Sequence, residues 1–319
     1  MTRSLFATSI RSALMGGLAW LVLLPFTFSD SLHGELIQRV LLIGVLVIVP
    51  LGLALISSVN ESRSLFFSAA IVSQPFGAIA VVISGFLNPG LVAAAFAAAW
   101  MIVTGLIALD GLLRFFKLRT SGRPVVAQLV LIAGMIYLPV GSVWLIMSRL
   151  GVQFFGFGDT IVLLTAVHFH FSGFAAPLLV ALTGYHLRAS TKTHGLLVIA
   201  AICVIAGTPL VAAGITASPV IALVGATVIS CGLFCLALLN LRCIVPGLNP
   251  SPKVLLVVSS LASLPAMVLA CIYAYSIVFH KLIVDIPQMA MTHGIANSFG
   301  FALCGLVGWI MILRRPGQP

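Results

Sequence analysis

"LLIGVLVIVPLGLALIS" (41–57) carries no charge and no polar side chain before its closing serine. Nine further runs of this kind follow or precede it, near 12–29, 64–86, 90–113, 125–148, 159–187, 194–216, 218–242, 252–278 and 287–313. This one, taken over its full length, covers 37–58. An apolar run of about 20 residues is the length that crosses a hydrocarbon core. Backbone inside lipid must satisfy its own hydrogen bonds, so single runs of this length can only be helices. The sequence therefore predicts an all-α fold, a polytopic transmembrane bundle of about ten spans. The connecting gaps are too short for a soluble domain, so residues 1–319 read as a single integral membrane domain. Composition agrees. Charged residues make up 7% of the chain, hydrophobic ones 61%, and the mean hydropathy is +1.24. A water-soluble domain carries about 25% charged residues.

The net charge of +10 reads as a topology signal, not as a nucleic-acid footprint, because the basic residues sit in the gaps. One side collects the N-terminus, the 2–3, 4–5, 6–7 and 8–9 loops and the C-terminus. It holds 13 Lys and Arg residues, and the other side holds 3: Arg39, Arg149 and Lys281. The positive-inside rule then places both termini in the cytoplasm, with the chain in the inner (plasma) membrane. "RFFKLRTSGR" (114–123) is the densest cytoplasmic marker, suited to anionic lipid. The first run follows Arg3 and Arg11 like a signal peptide but is read as a retained span. The six cysteines form no CxxC pair and are expected to behave as small buried hydrophobes.

Ionisable groups inside spans are costly and mark function. The six acids avoid the span centres. Asp159 is expected to cap span 6, Asp285 to sit favourably at the start of span 10, and Asp110 to pair with Arg114 one turn on. The histidines behave differently. "TAVHFHFSGFAAP" (165–177) places His168 and His170 about 13 and 16 Å into span 6, at 1.5 Å per residue. "MTHGIANSFGF" (291–301) places His293 about 9 Å and Asn297 about 15 Å into span 10, on one helix face at i,i+4. His168 and Ser172 share the same spacing. His168 and His170 are about 200° apart on a regular helix, which disfavours a shared metal ion. A haem pair is possible in principle, but no cofactor is expected. The two stretches echo one another in Thr, in a polar sixth place and in a Gly-Phe ending.

Six Phe residues, Phe154, Phe155, Phe157, Phe169, Phe171 and Phe174, crowd the 21-residue window 154–174. Aromatic faces stabilise cations, so these rings are candidate walls of a substrate cavity, with Ser172 beside them. The two histidine motifs resemble those of the YndJ-like family of bacterial integral membrane proteins, over residues 125–313 at the widest. The resemblance implies a multi-span fold and a shared histidine region, and no particular reaction.

The leading functional expectation is an intramembrane enzyme, an isomerase or cyclase of an isoprenoid (terpenoid) chain or its epoxide. His168, His170, His293 and Asn297 would supply the acid–base site, and Asp159 would be the supporting acceptor. Desolvation favours the neutral imidazole as the resting form. The expected partners are membrane lipid and a lipophilic small molecule. Two alternatives stand beside it. One is a proton-coupled transporter or channel, with helices broken at Pro75, Pro139 and "GTPLVAAG" (207–214). The other is a non-catalytic assembly partner whose histidines are interhelical glue. Satisfying the deep imidazoles is expected to bring spans 6 and 10 together in the outer half of the membrane.

Overall fold

A computed structural model describes residues 2–29, 31–59, 64–120, 125–153, 156–187 and 191–314. Among these residues ten helices are long and apolar enough to cross a membrane, and there is no strand. They are α1 (Ser4–Val22), α2 (Gly34–Val59), α3 (Leu65–Phe86), α4 (Leu91–Thr120), α5 (Val126–Leu150), α6 (Asp159–Leu187), α7 (Thr193–Ala217), α8 (Pro219–Gly247), α9 (Pro250–Val278) and α10 (Ile286–Leu313).

α4 and α8 run on past their expected ends at 113 and 242, to Thr120 and Gly247, and α1 stops short, ending at Val22 and not near residue 29. The reason lies in Arg39 and Glu35. The Arg39 guanidinium donates to the Leu24 carbonyl at 2.9 Å and the Phe26 carbonyl at 3.3 Å, and its Nε meets Glu35 at 2.7 Å. The other Glu35 oxygen accepts the N–H groups of Phe28 and Ser29 at 2.6 and 3.1 Å. The backbone of 24–29 is thus satisfied outside a helix, as any segment at the edge of lipid must be. Arg149 does similar work, donating to the Leu87 carbonyl at the α3–α4 turn.

The prolines expected to break helices do not. Pro75, Pro139 and Pro209 sit inside continuous helices, as membrane helices allow when neighbours re-satisfy the freed groups. The irregularity falls elsewhere. π-helical turns occupy Gly44–Ile48 in α2, Phe171–Ala175 in α6, Asn240–Ile244 in α8, and Ala290–Gly294 and Ala296–Leu303 in α10. Such insertions are rare and concentrate at functional sites.

The chain divides into two compact units. The first is Met1–Pro124 with Ile132–Phe174, and the second is Val125–Leu131 with Ala175–Pro319. In the first, α2 is enclosed: every residue from Val40 to Ser57 is buried. The helix α1 packs on it so closely that a Cβ on Gly16 would collide with the Leu46 carbonyl oxygen. Polar groups are tied in pairs. Gln74 accepts from Ser12 and donates to the Val45 carbonyl at 3.1 Å. Thr104 meets Ser142 at 2.8 Å. Asp110 pairs with Arg114 at 2.7 Å, as the spacing predicts, and also accepts from Ser64.

In the second unit α7 and α8 form a hairpin, α8 packs on α9, and α9 packs on α10. Thr183 of α6 donates to Asn240 at 3.0 Å. Among the cysteines none is fully buried, and Cys231 and Cys243 are exposed. In a membrane helix an exposed thiol faces lipid, so the expectation of burial in the protein fails without cost.

Candidate functional site

The three deep histidines share one device: each aims Nδ1 at a main-chain carbonyl. His168 meets Leu164 at 2.7 Å, His170 meets Ala166 at 2.8 Å, and His293 meets Ala266 at 2.8 Å. A carbonyl oxygen only accepts, so Nδ1 carries the proton in all three. The acceptor expected from Asp159 is therefore supplied by backbone. Asp159 itself is exposed and is the first residue of α6, with Gly158 at the cap position. Asp285 exceeds its expected role, closing a capping box with Gln288 at the head of α10.

From this common start the three diverge. His170 is fully buried, and its Nε2 accepts the indole N–H of Trp100 at 2.8 Å. An indole only donates, so both ring nitrogens are spent and the neutral tautomer is fixed. The two rings lie 17° from parallel. Trp100 is the residue that sequence reasoning missed. The available signal was chemical: a tryptophan deep in an apolar span needs an acceptor for its N–H, and deep acceptors are few.

His168 is half-buried, as is Ser172. The π-helical turn starts at Phe171, so the regular i,i+4 register between them does not hold. Phe169, Phe171 and Phe174 are buried core residues, Phe169 lying edge-on to Tyr137. Phe157 is half-buried. Phe154 and Phe155 lie outside the described residues. Phe169, Phe171 and Phe174 thus pack inside the first unit.

His293 and Asn297 stand on the π-helical stretch of α10, both half-buried. The Asn297 amide nitrogen is 3.2 Å from Nδ1 and 3.3 Å from Nε2. Only Nε2 keeps a lone pair, so the amide donates there. The amide oxygen, Oδ1, is buried and has no hydrogen-bond partner among the described residues. The Nδ1 proton is directed at the Ala266 carbonyl, so a flipped amide would set its oxygen against the Nε2 lone pair, and the orientation follows from chemistry. Beside the pair, a Cβ on Gly294 would meet only the Met289 carbonyl, at 3.8 Å. Met291 and Ile295 are exposed.

His168 and His170 belong to the first unit, His293 and Asn297 to the second, and His170 and His293 find the partners described above inside their own units. The contact of α6 with α10 seen within the second unit lies toward their C-terminal ends. There Leu179 abuts Gly305, and His186 meets Trp309 edge-on at 5.5 Å. The echo between the two motifs has a structural counterpart. "FSGF" (171–174) and "SFGF" (298–301) are both π-helical, and each ends on a buried Phe. Each glycine also admits a close neighbour: a Cβ on Gly173 would lie 3.0 Å from the Phe169 ring, and one on Gly300 2.5 Å from Ala262 Cβ.

A separate groove of about 910 Å³ lies between α8 and α9, lined by Thr227, Ser230, Cys231, Cys235, Met267 and Cys271 among others. It carries no histidine and none of the Phe residues expected around a site. Among the described residues, no three of His, Cys, Asp and Glu are placed to share a metal ion.

Ten apolar helices with a few tied polar groups define a polytopic membrane protein. The chain belongs to the YndJ-like family, whose pattern matches residues 39–301. The membrane protein YndJ of Bacillus subtilis (strain 168) is 28% identical over 222 residues, which is 69% of this chain and 39% of that protein. The chain therefore spans well under two thirds of that relative's length. No solved structure matches it.

Proposed function

We propose that this protein is an enzyme of the bacterial inner membrane that isomerises or cyclises a lipophilic substrate, an isoprenoid chain or its epoxide, by proton transfer at His293. The observation that carries this reading is the Ala266–His293–Asn297 arrangement. The carbonyl fixes the Nδ1–H tautomer, so Nε2 is the basic atom of the ring; it faces the Asn297 amide at 3.3 Å, and substrate takes that amide's place on it. A neutral ring of this kind takes a proton from the substrate and returns it to another atom of the same molecule. The electron pair released from the broken bond moves a double bond or opens the oxirane. No atom is gained or lost, and general acid–base help of this kind contributes about 10²–10⁴-fold.

The experiment is turnover of isoprenoid alkenes and epoxides by purified protein in nanodiscs in deuterated buffer. Wild type is expected to yield products that differ from substrate in chromatography but not in heavy-atom composition. His293→Ala is expected to lose at least about 10²-fold in rate while remaining monodisperse. Full activity in His293→Ala overturns the proposal. The runner-up, proton-coupled transport, draws on the π-helical interruptions of α2, α6, α8 and α10. Proton flux into liposomes dependent on His293, without product, selects it instead.

A further inference from the structure

We infer that the second unit holds a separate reactive site, in which Cys203 and Cys231 form a dithiol that a membrane quinone, seated in the groove between α8 and α9, oxidises to a disulfide. Four of the chain's six cysteines meet in this region. Cys231 of α8 shares thiol hydrogen bonds with Cys203 of α7 and with Cys235 one turn on. Cys271 of α9 meets Ser230 at 3.2 Å. Cys231, Cys235 and Cys271 line the groove, and Cys231 is exposed. The site shares no residue with that of His293, and the two readings stand or fall apart.

Geometry selects the pair. Residues at i,i+4 on a helix hold their Cβ atoms about 5–6 Å apart, and a disulfide needs about 3.5–4.5 Å. Cys231 therefore does not close on Cys235 while α8 stays helical. Cys203 comes from the neighbouring helix, where the two backbones nearly touch: a Cβ on Gly232 would lie 2.9 Å from the Cys203 Cβ. Thiols already in hydrogen-bond contact across so tight a seam join by side-chain rotation.

The surroundings select the oxidant. None of the described residues lining the groove is charged, and an unpaired charge there is costly. A soft metal ion takes thiolates, which would leave net negative charge in apolar surroundings. Two thiols and their disulfide are both neutral. The fitting oxidant is neutral, lipid-soluble and able to take two protons with two electrons, as a quinone does. The groove opens beside the exposed Phe234, Val268 and Tyr275, on the apolar flank of the helices. Its volume of about 910 Å³ is within the range of small-molecule sites, about 300–1,000 Å³. In the reaction Cys231 Sγ adds to a ring carbon of the quinone, and its proton passes to one carbonyl oxygen. Cys203 Sγ then attacks Cys231 Sγ. The carbon–sulfur bond breaks, its electron pair returns to the ring, and the Cys203 proton goes to the second oxygen. Two thiols are oxidised to one disulfide, and one quinone is reduced to a quinol.

The test is anaerobic mixing of fully reduced protein in nanodiscs with a short-chain ubiquinone, read by quinol absorbance, free-thiol count and peptide mapping. Wild type is expected to yield one quinol per protein, to lose two of its six free thiols, and to give a crosslinked peptide pair carrying Cys203 and Cys231. Cys203→Ser and Cys231→Ser are expected to abolish all three signals, and Cys235→Ser to retain them. Val268→Trp, which fills the groove from α9, is expected to slow oxidation by the quinone about tenfold and to leave oxidation by the soluble reagent diamide unchanged. Six thiols kept with no quinol formed overturns the inference. So does a crosslink joining any other pair, or a quinone that stays on Cys231 as a thioether. An unchanged quinone rate in Val268→Trp overturns the groove as the quinone's seat. If a serine variant fails to fold, the wild-type peptide map decides alone.

Discussion

Each deep histidine is distinguished by what its second nitrogen meets. His170 gives Nε2 to Trp100 and is closed, whereas His293 gives Nε2 to an amide whose own oxygen is unmet. The two therefore separate by experiment. Trp100→Phe strands a buried imidazole nitrogen and is expected to cost about 1–3 kcal/mol of stability with the rate of turnover retained, as read by denaturant unfolding beside the nanodisc assay. A second residue-scale case is Asp110, which is buried against Arg114. Asp110→Leu leaves a guanidinium without its counter-charge and is expected to cost about 3–5 kcal/mol. A melting temperature unchanged from wild type would show that Arg114 finds water instead. The Asp110–Arg114 pair and the contact between His293 and Asn297 were legible in the sequence because i,i+4 spacing is a local property. Sequence alone did not reach Trp100 or the Ala266 carbonyl, since a pairing across 70 or 27 positions leaves no periodic trace.

At the scale of the element, the ten spans were legible because lipid demands long apolar runs. Their internal irregularities were not. The prolines looked like the breaks, yet the turns that widen are at Gly44–Ile48, Phe171–Ala175, Asn240–Ile244, Ala290–Gly294 and Ala296–Leu303, and no shared residue pattern marks them in the sequence. Two glycines of α10 differ in how tightly they are packed. Gly300 presses on Ala262, so Gly300→Val is expected to overpack the α9–α10 contact by about 1–3 kcal/mol. A Cβ on Gly294 would make only an ordinary contact with the Met289 carbonyl, at 3.8 Å, so Gly294→Ala is expected to leave stability within about 1 kcal/mol. Thermal unfolding of both variants checks the pair, and equal losses would mean that the two positions are packed alike.

For the whole molecule, the basic residues predict an orientation, and the structure sharpens the count behind it. Two of the three on the sparse side, Arg39 and Arg149, are tied to loop carbonyls and so have a structural reason to be there. Reporter fusions at the C-terminus and within the 149–158 loop are expected to report cytoplasmic and external positions respectively. An external C-terminus would refute the orientation. The enclosed helix α2 carries a different message, about insertion. From Val40 to Ser57 every residue is buried, and this span has the highest mean hydropathy of the ten. A helix that meets protein on every side is hydrophobic all round, because no face of it reaches water. The same surface lets it rest in bare bilayer while most of the helices that will wrap it are still to be made.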